Sequence, residues 1–261
     1  MKHMITMLTV LLITVTILTI NTMKNLIIFL LFILLLTDGF SQTLPASFEL
    51  KTPSVIDQGS EGCCISCAAT YLAASYRKYK LSNATTFSYF TNICSPEYIY
   101  DRVKLNSSCT SGSDLFTTLN FMRDTGNVLF STLPYSTSNG CAASISTPFD
   151  NRAGVNRTGA YTRVLSSDVT AIKQAIYTGH VVLLSITADN NFVNAGPGYI
   201  WSTYLGSGAS HMVGLVGWDD SRNAYLAQNS WGTRWGSSGF IWITYTNTVS
   251  VSFFYSYYMN D

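Results

Sequence analysis

Apolar residues recur on three different periods along this chain. Near the N-terminus they are continuous. Met4–Ile20 is apolar and threonine-rich, and Leu26–Leu36 is an unbroken apolar run. From Cys64 onward they follow the helical period, with Ile65, Ala68, Ala69, Leu72, Ala73 and Tyr76 on one face. That helix ends at Arg77, Lys78 and Lys80, whose charges suit a helix C-terminus. A short helix is expected over Pro96–Val103. Another is expected over Ser113–Asp124, with Ser113 as N-cap, Asp114 in the first turn, Leu115, Phe116, Leu119 and Met122 inward, and Gly126 just past the end. A further capped helix covers Ser167–Thr178 and closes at Gly179. The period then changes to that of strands: His180–Thr187, His211–Trp218, Ala224–Asn229, Phe240–Tyr245 and Val251–Tyr258. Gln42–Ser54 reads as an extended lead-in, Val55–Gly62 as a loop, and Asn127–Val155 as loop-rich. The pattern predicts an α+β protein, helical in front and antiparallel behind, with a cleft between the two parts.

The continuous apolar segment belongs to a different class. Lys24 and Asn25 precede Leu26–Leu36, and Gly39 and Ser41 follow it, which is the layout of a signal peptide cleaved after Ser41. Eleven residues are too few to span a bilayer comfortably. Either Met23 is the true start or the two apolar runs form one longer leader, and the layout favours the first. Residues 1–41 are then leader and 42–261 the mature domain, divided into a helical lobe at about 55–150 and a β lobe at about 151–261. The formal net charge is +1, and no basic or acidic run points to nucleic acid or to a lipid surface. The mature chain is expected to be a monomer that leaves the membrane once the leader is removed, with no cofactor and no metal.

The candidate chemistry lies where the loop gives way to the first helix, in Asp57–Tyr71, DQGSEGCCISCAATY. A thiol in the first turn of a helix faces free N–H groups and the positive end of the macrodipole, which favours its thiolate. Cys63, Cys64 and Cys67 compete for that place. All three could be structural, as cysteines of exported proteins usually are. Cys64 and Cys67 have the spacing of a redox pair, but a proline-bearing lead-in and a loop precede them, not the strand such a motif expects. A nucleophile needs a base. His180 opens an apolar strand and reads as structural. His211 follows Gly208, Ala209 and Ser210, small residues that leave room around an imidazole. Asn229 can accept from the second imidazole nitrogen and hold the ring's tautomer. Trp231 can shield that bond from water, or can simply pack with Trp235 at a strand end.

The order of these features resembles the papain-like cysteine peptidases over nearly the whole mature chain: DQG-x-x-G-x-C opening a helix, a distant small-residue–His–apolar strand, then NSWG-x-x-WG-x-x-G-F. The resemblance implies a two-lobed fold with a helical N-terminal lobe, an antiparallel β-barrel-like C-terminal lobe and the active-site cleft between them. It implies a peptide or protein substrate. In register from Gln58, it places the nucleophile on Cys64, the oxyanion-hole amide on Gln58, the general base on His211 and its orienter on Asn229. It also implies substrate binding at Gly112, in Ser108–Gly112, and at Trp231 on the leaving-group side. The chain departs from the family where a disulfide cysteine often precedes the nucleophile by three residues, because Glu61 stands there. Cys109 must then pair elsewhere, with Cys141 or with Cys94. Only Gln42–Asp57 separates the expected cleavage point from Gln58, which leaves no room for a helical inhibitory pro-segment. The same four residues would also serve acyl transfer to an amine, and a non-catalytic peptide-binding relative is a third class.

Overall fold

A computed structural model describes residues 24, 43–137, 151–252 and 255–261. The expected leader, Lys24 apart, and Cys141 lie outside the described residues. Eight strands form one sheet in the order β2-β8-β3-β5-β6-β7-β4, with β1 added on β5. They are β1 (Ser47–Glu49), β2 (Tyr161–Leu165), β3 (Val182–Ala188), β4 (Ile200–Trp201), β5 (Ala209–Asp219), β6 (Ala224–Gln228), β7 (Phe240–Thr244) and β8 (Tyr255–Met259). All pairs are antiparallel except β4 with β7.

Strand β5 organises the sheet. Its first part pairs with β3, placing Ile186 opposite His211. Its later part pairs with β6, across a register shift between Leu215 and Gly217, and with β1. Residues 211–218 are buried on both faces, which explains their apolar character without alternation. The lead-in thus carries a strand that its sequence does not announce, and so does Tyr161–Leu165, paired with β8 along its length.

The central helix is one rod in three parts: α1 (Cys64–Ser66), a π-helical stretch (Cys67–Ala74) and α2 (Ser75–Leu81). Every residue of the π-helical stretch is buried, Thr70 included, so this middle part is interior on all faces, and residues 76–81 keep the half-exposed face that the spacing predicts. Helices α3 (Pro96–Val103) and α4 (Leu115–Asp124) pack on each other. The cap of α4 is Asp114, one residue later than expected, because its carboxylate accepts from the Thr117 N–H at 2.8 Å. Helix α5 (Val169–Tyr177) is capped by Asp168. A short helix α6 (Asn190–Val193) follows β3. The expected strand from Val251 is corrected: α7 (Tyr245–Val251) runs first, and β8 begins at Tyr255. Thr244 caps α7 by accepting from the Asn247 N–H, a local bond that competes with extending β7 through a β-branched run.

Candidate active site

The base half of the site is built on β5, β6 and the turn after them. His211 is buried near the start of β5. Asn229 directly follows β6, its N–H donating to the Gly239 carbonyl at 2.9 Å. Its Oδ1 lies 2.7 Å from His211 Nε2 and also accepts from the Ser230 N–H at 2.8 Å. That second bond requires an oxygen there, so it fixes the orientation of the amide. His211 Nε2 must then carry the hydrogen and donate it, which leaves Nδ1 as the basic nitrogen. Trp231 lies tilted over the imidazole, ring centroids 4.6 Å apart. Phe192 of α6 touches His211, Trp231 and Trp235, and Trp235 donates from its indole to the Val193 carbonyl at 3.1 Å. Burial pushes the His211 imidazole down to about 4, with the bond to Asn229 acting against it. The ring is therefore neutral near pH 7, as a base must be.

The thiol half begins with the loop 56–63. It is fastened to the base half by a short antiparallel exchange: the Gln58 N–H donates to the Ser230 carbonyl and the Gly232 N–H to the Ile56 carbonyl. Gly232 is left-handed here, φ +70°, and a Cβ on it would meet the Asp57 carboxylate at 2.9 Å. The side chain of Gln58 is buried. Its Oε1 accepts from Ser230 Oγ at 2.6 Å, and one Nε2 hydrogen goes to the Glu61 carbonyl at 2.8 Å. Gly62 lies against the loop that carries Gly112: its N–H donates to the Cys109 carbonyl, and a Cβ there would strike the Ser111 carbonyl at 2.3 Å. Gly112 itself is exposed, with nothing near the position a Cβ would take, and its carbonyl accepts from the Leu105 N–H.

Cys64 is the first residue of α1, which packs against β5. Burial pushes its thiol up to about 11, and Cys63 adds to the rise. Hydrogen bonds from the backbone of Met212, of Ile65 and of Cys64 itself act in the other direction. The thiol therefore meets β5 at the residue next to His211. The helix start and these bonds favour the thiolate, and burial opposes it. Cys67 does not approach as the partner of a redox pair with Cys64; its sulfur lies 3.3 Å from that of Cys63. Cys94 is a free, buried thiol and Cys109 is disulfide-bonded, which removes the expected alternative of a Cys109–Cys94 bridge. His180 is structural as expected: Nδ1 lies 3.0 Å from the Met259 carbonyl and the ring packs on Tyr258.

Two contributors escape a reading of the sequence. Ser230 orients the Gln58 amide, and only its place inside the NSW motif hints at it. Phe192 packs on the imidazole from a helix that no local pattern marks as part of the site. Among the described residues no group of three or more His, Cys, Asp or Glu is placed to hold a metal.

Residues 44–258 match the family model described as papain family cysteine protease. The curated relatives include Gamete and mating-type specific protein A of Dictyostelium discoideum, 38% identical over 77 residues, which are 30% of this chain and 17% of that protein. Cathepsin B-like CP3 of Giardia intestinalis is 25% identical over 75% of this chain and 68% of its own length. Among solved structures, digestive procathepsin L2 proteinase from Tenebrio molitor superposes with a TM-score of 0.70 at 20% identity, over 85% of this chain and 70% of that one. Xylellain, a cysteine protease from Xylella fastidiosa, gives 0.66 at 19% identity, over 84% and 87%. The chain spans 17% of the Dictyostelium protein's length, and these structural likenesses speak for the fold.

Proposed function

This chain belongs to the papain family of cysteine proteases, and we propose that it is an exported cysteine-type endopeptidase acting through Cys64 and His211. The observation that carries the proposal is the 2.7 Å bond between His211 Nε2 and Asn229 Oδ1, beside a thiol that reaches the neighbouring Met212 backbone. That bond fixes the tautomer, burial keeps the imidazole neutral, and Nδ1 is left to take the Cys64 proton. Separately, burial disfavours a thiolate and an imidazolium. A single proton transfer creates both charges together, and their attraction offsets much of the burial that opposes each alone. The thiolate attacks the peptide carbonyl. The Cys64 N–H and the second Gln58 amide hydrogen receive the oxyanion, with Ser230 holding that amide in place. His211 then protonates the leaving amine, and water activated by the same imidazole releases the acyl group.

Substrate binding falls to the exposed backbone of Gly112, as a short antiparallel strand, and to Trp231 beside the leaving group. Export rests on the apolar run Leu26–Leu36 and the small residues after it.

The Cys64→Ala variant is expected to lose hydrolysis of a fluorogenic peptide while keeping the wild-type circular dichroism spectrum. An epoxide-type thiol-peptidase inhibitor should label Cys64 in the wild-type protein. Cys63→Ala should keep activity. Full activity in Cys64→Ala, or its loss only in Cys63→Ala, overturns the assignment.

A further inference from the structure

The thiols of Cys63 and Cys67 have no part in this mechanism, yet they are placed with respect to each other. Cys63 is the N-cap of α1 and Cys67 closes the first turn, its N–H donating to the Cys63 carbonyl at 2.8 Å. The sulfurs are 3.3 Å apart, and both residues are buried, 0% and 1% exposed. Residues four apart on a helical turn have Cα atoms about 6 Å apart, inside the roughly 4.4–6.8 Å window a disulfide accepts. Their Cβ atoms, about 5–6 Å apart on a regular helix, must close to roughly 4 Å, a movement open to Cys63 because its N-cap backbone, φ −92° and ψ 17°, lies outside the regular helix. Tyr135 closes the far side: its hydroxyl lies 3.3 Å from Cys63 Sγ and donates to the Gln58 carbonyl at 2.6 Å. The rest of this small cluster is Tyr100, with Ile56 and Cys109 packed on it. Cys109 is already in a disulfide, whereas Cys63 and Cys67 stand as free thiols in the structure. Cys63 and Cys67 belong to the same turn as the nucleophile, at the place where Glu61 stands instead of the cysteine that often anchors this loop.

We propose that Cys63 and Cys67 are a modification site: they close to a second disulfide by exchange with a low-molecular-weight disulfide of the glutathione class. In the first step one cysteine thiolate attacks a glutathione disulfide sulfur, forming a mixed disulfide and releasing one glutathione. The second cysteine thiolate then displaces the other glutathione. Two protein thiols are oxidised, one glutathione disulfide is reduced, and the two protons leave on the two glutathione thiols. Because both sulfurs are enclosed in the folded protein, the bond closes as the chain folds and not by attack at its surface. The outcome cross-links the first turn that presents Cys64 and leaves Cys64 as the one free thiol of that turn, which ends the competition between adjacent nucleophiles.

The test counts thiols and does not depend on peptidase activity. The full chain is folded in a reduced/oxidised glutathione buffer, quenched in acid, alkylated in denaturant without reductant, and mapped by fragmentation mass spectrometry. The expected result is one label on the peptide holding residues 63, 64 and 67, located on Cys64, and three labels after full reduction. The same treatment of Cys64→Ala should leave that peptide unlabelled until it is reduced. In Cys67→Ser both Cys63 and Cys64 should take label without reduction. Three labels on the unreduced wild-type peptide overturn the proposal. A cross-link from Cys63 or Cys67 to Cys64, Cys109 or Cys141 overturns it as well.

Discussion

The two halves of the site are held by opposite means. On the base side one oxygen has two directed partners: Asn229 Oδ1 takes both the imidazole and the Ser230 N–H, and Phe192, Trp231 and Trp235 wall the ring. On the thiol side the first turn is crowded with groups that disfavour negative charge on one another. Cys63 raises the Cys64 thiol, and Cys63 with burial raises that of Cys67. Burial, then Glu61 and Asp101, push the Glu97 carboxyl up to about 8. Both halves exclude water; the base half adds directed bonds around one ring, and the thiol half sets acidic groups against one another. The difference teaches that the base side should answer to the loss of single directed bonds, whereas the thiol side, Cys64 itself apart, should respond to pH and redox conditions.

The sharpest break is His211→Ala. A positioned base is worth roughly 10²–10⁴-fold in rate, and a fall in kcat/KM of that size is expected with the fold retained. A loss below tenfold would move the base elsewhere. Next comes Asn229→Ala. A hydrogen bond to a charged group is worth about 1.5–3 kcal/mol, so kcat/KM should fall roughly 10- to 150-fold. The bond to Asn229 raises the His211 pKa, so its removal should also move the acid limb of the kcat/KM profile to lower pH. An unmoved limb would mean that the amide does not hold the ring.

Ser230→Ala tests the stitch between the halves. It removes one hydrogen bond to the Gln58 amide, worth about 1 kcal/mol, so kcat should drop about fivefold with KM little changed. The smallest expected effect is on stability, in Glu97→Gln. Glu97 is 3% exposed, with Lys104 acting against the rise. Its folded pKa lies above the unfolded value, so the folded state holds a proton that the unfolded state releases. Stability from this group is present below about pH 4.5 and lost as pH rises to about 8. Urea midpoints of the Gln variant should show a flatter decline across that window than wild type, and an unchanged slope would clear Glu97 of the effect.

The base half was legible in the chain because the apolar runs of β5 and β6 mark strands and because His211, Asn229 and Trp231 stand in the order that the family resemblance reads. The thiol half was legible only as a register. Gln58 could be aligned, but the serine that turns its amide and the tyrosine that binds its carbonyl act across 172 and 77 residues of sequence, where no periodicity operates. The balance at the Cys64 thiol was hidden for a related reason. A helix start is visible in sequence, while burial is a property of everything packed around it. The central helix shows the same limit, since apolar spacing reports which face is buried and Cys67–Ala74 is buried on all of them.

Strand β5, bonded on one side to β3 and β1 and on the other to β6, has a consequence for the timing of activity. Cys64 and Gln58 leave the ribosome early, whereas His211 and Asn229 follow about 150 residues later, on the order of ten seconds at ordinary synthesis rates. Neither can take its place until β3, β5 and β6 have paired. On the proposed assignment a nascent chain carries its thiol before its base, and the site is assembled only once that sheet has closed.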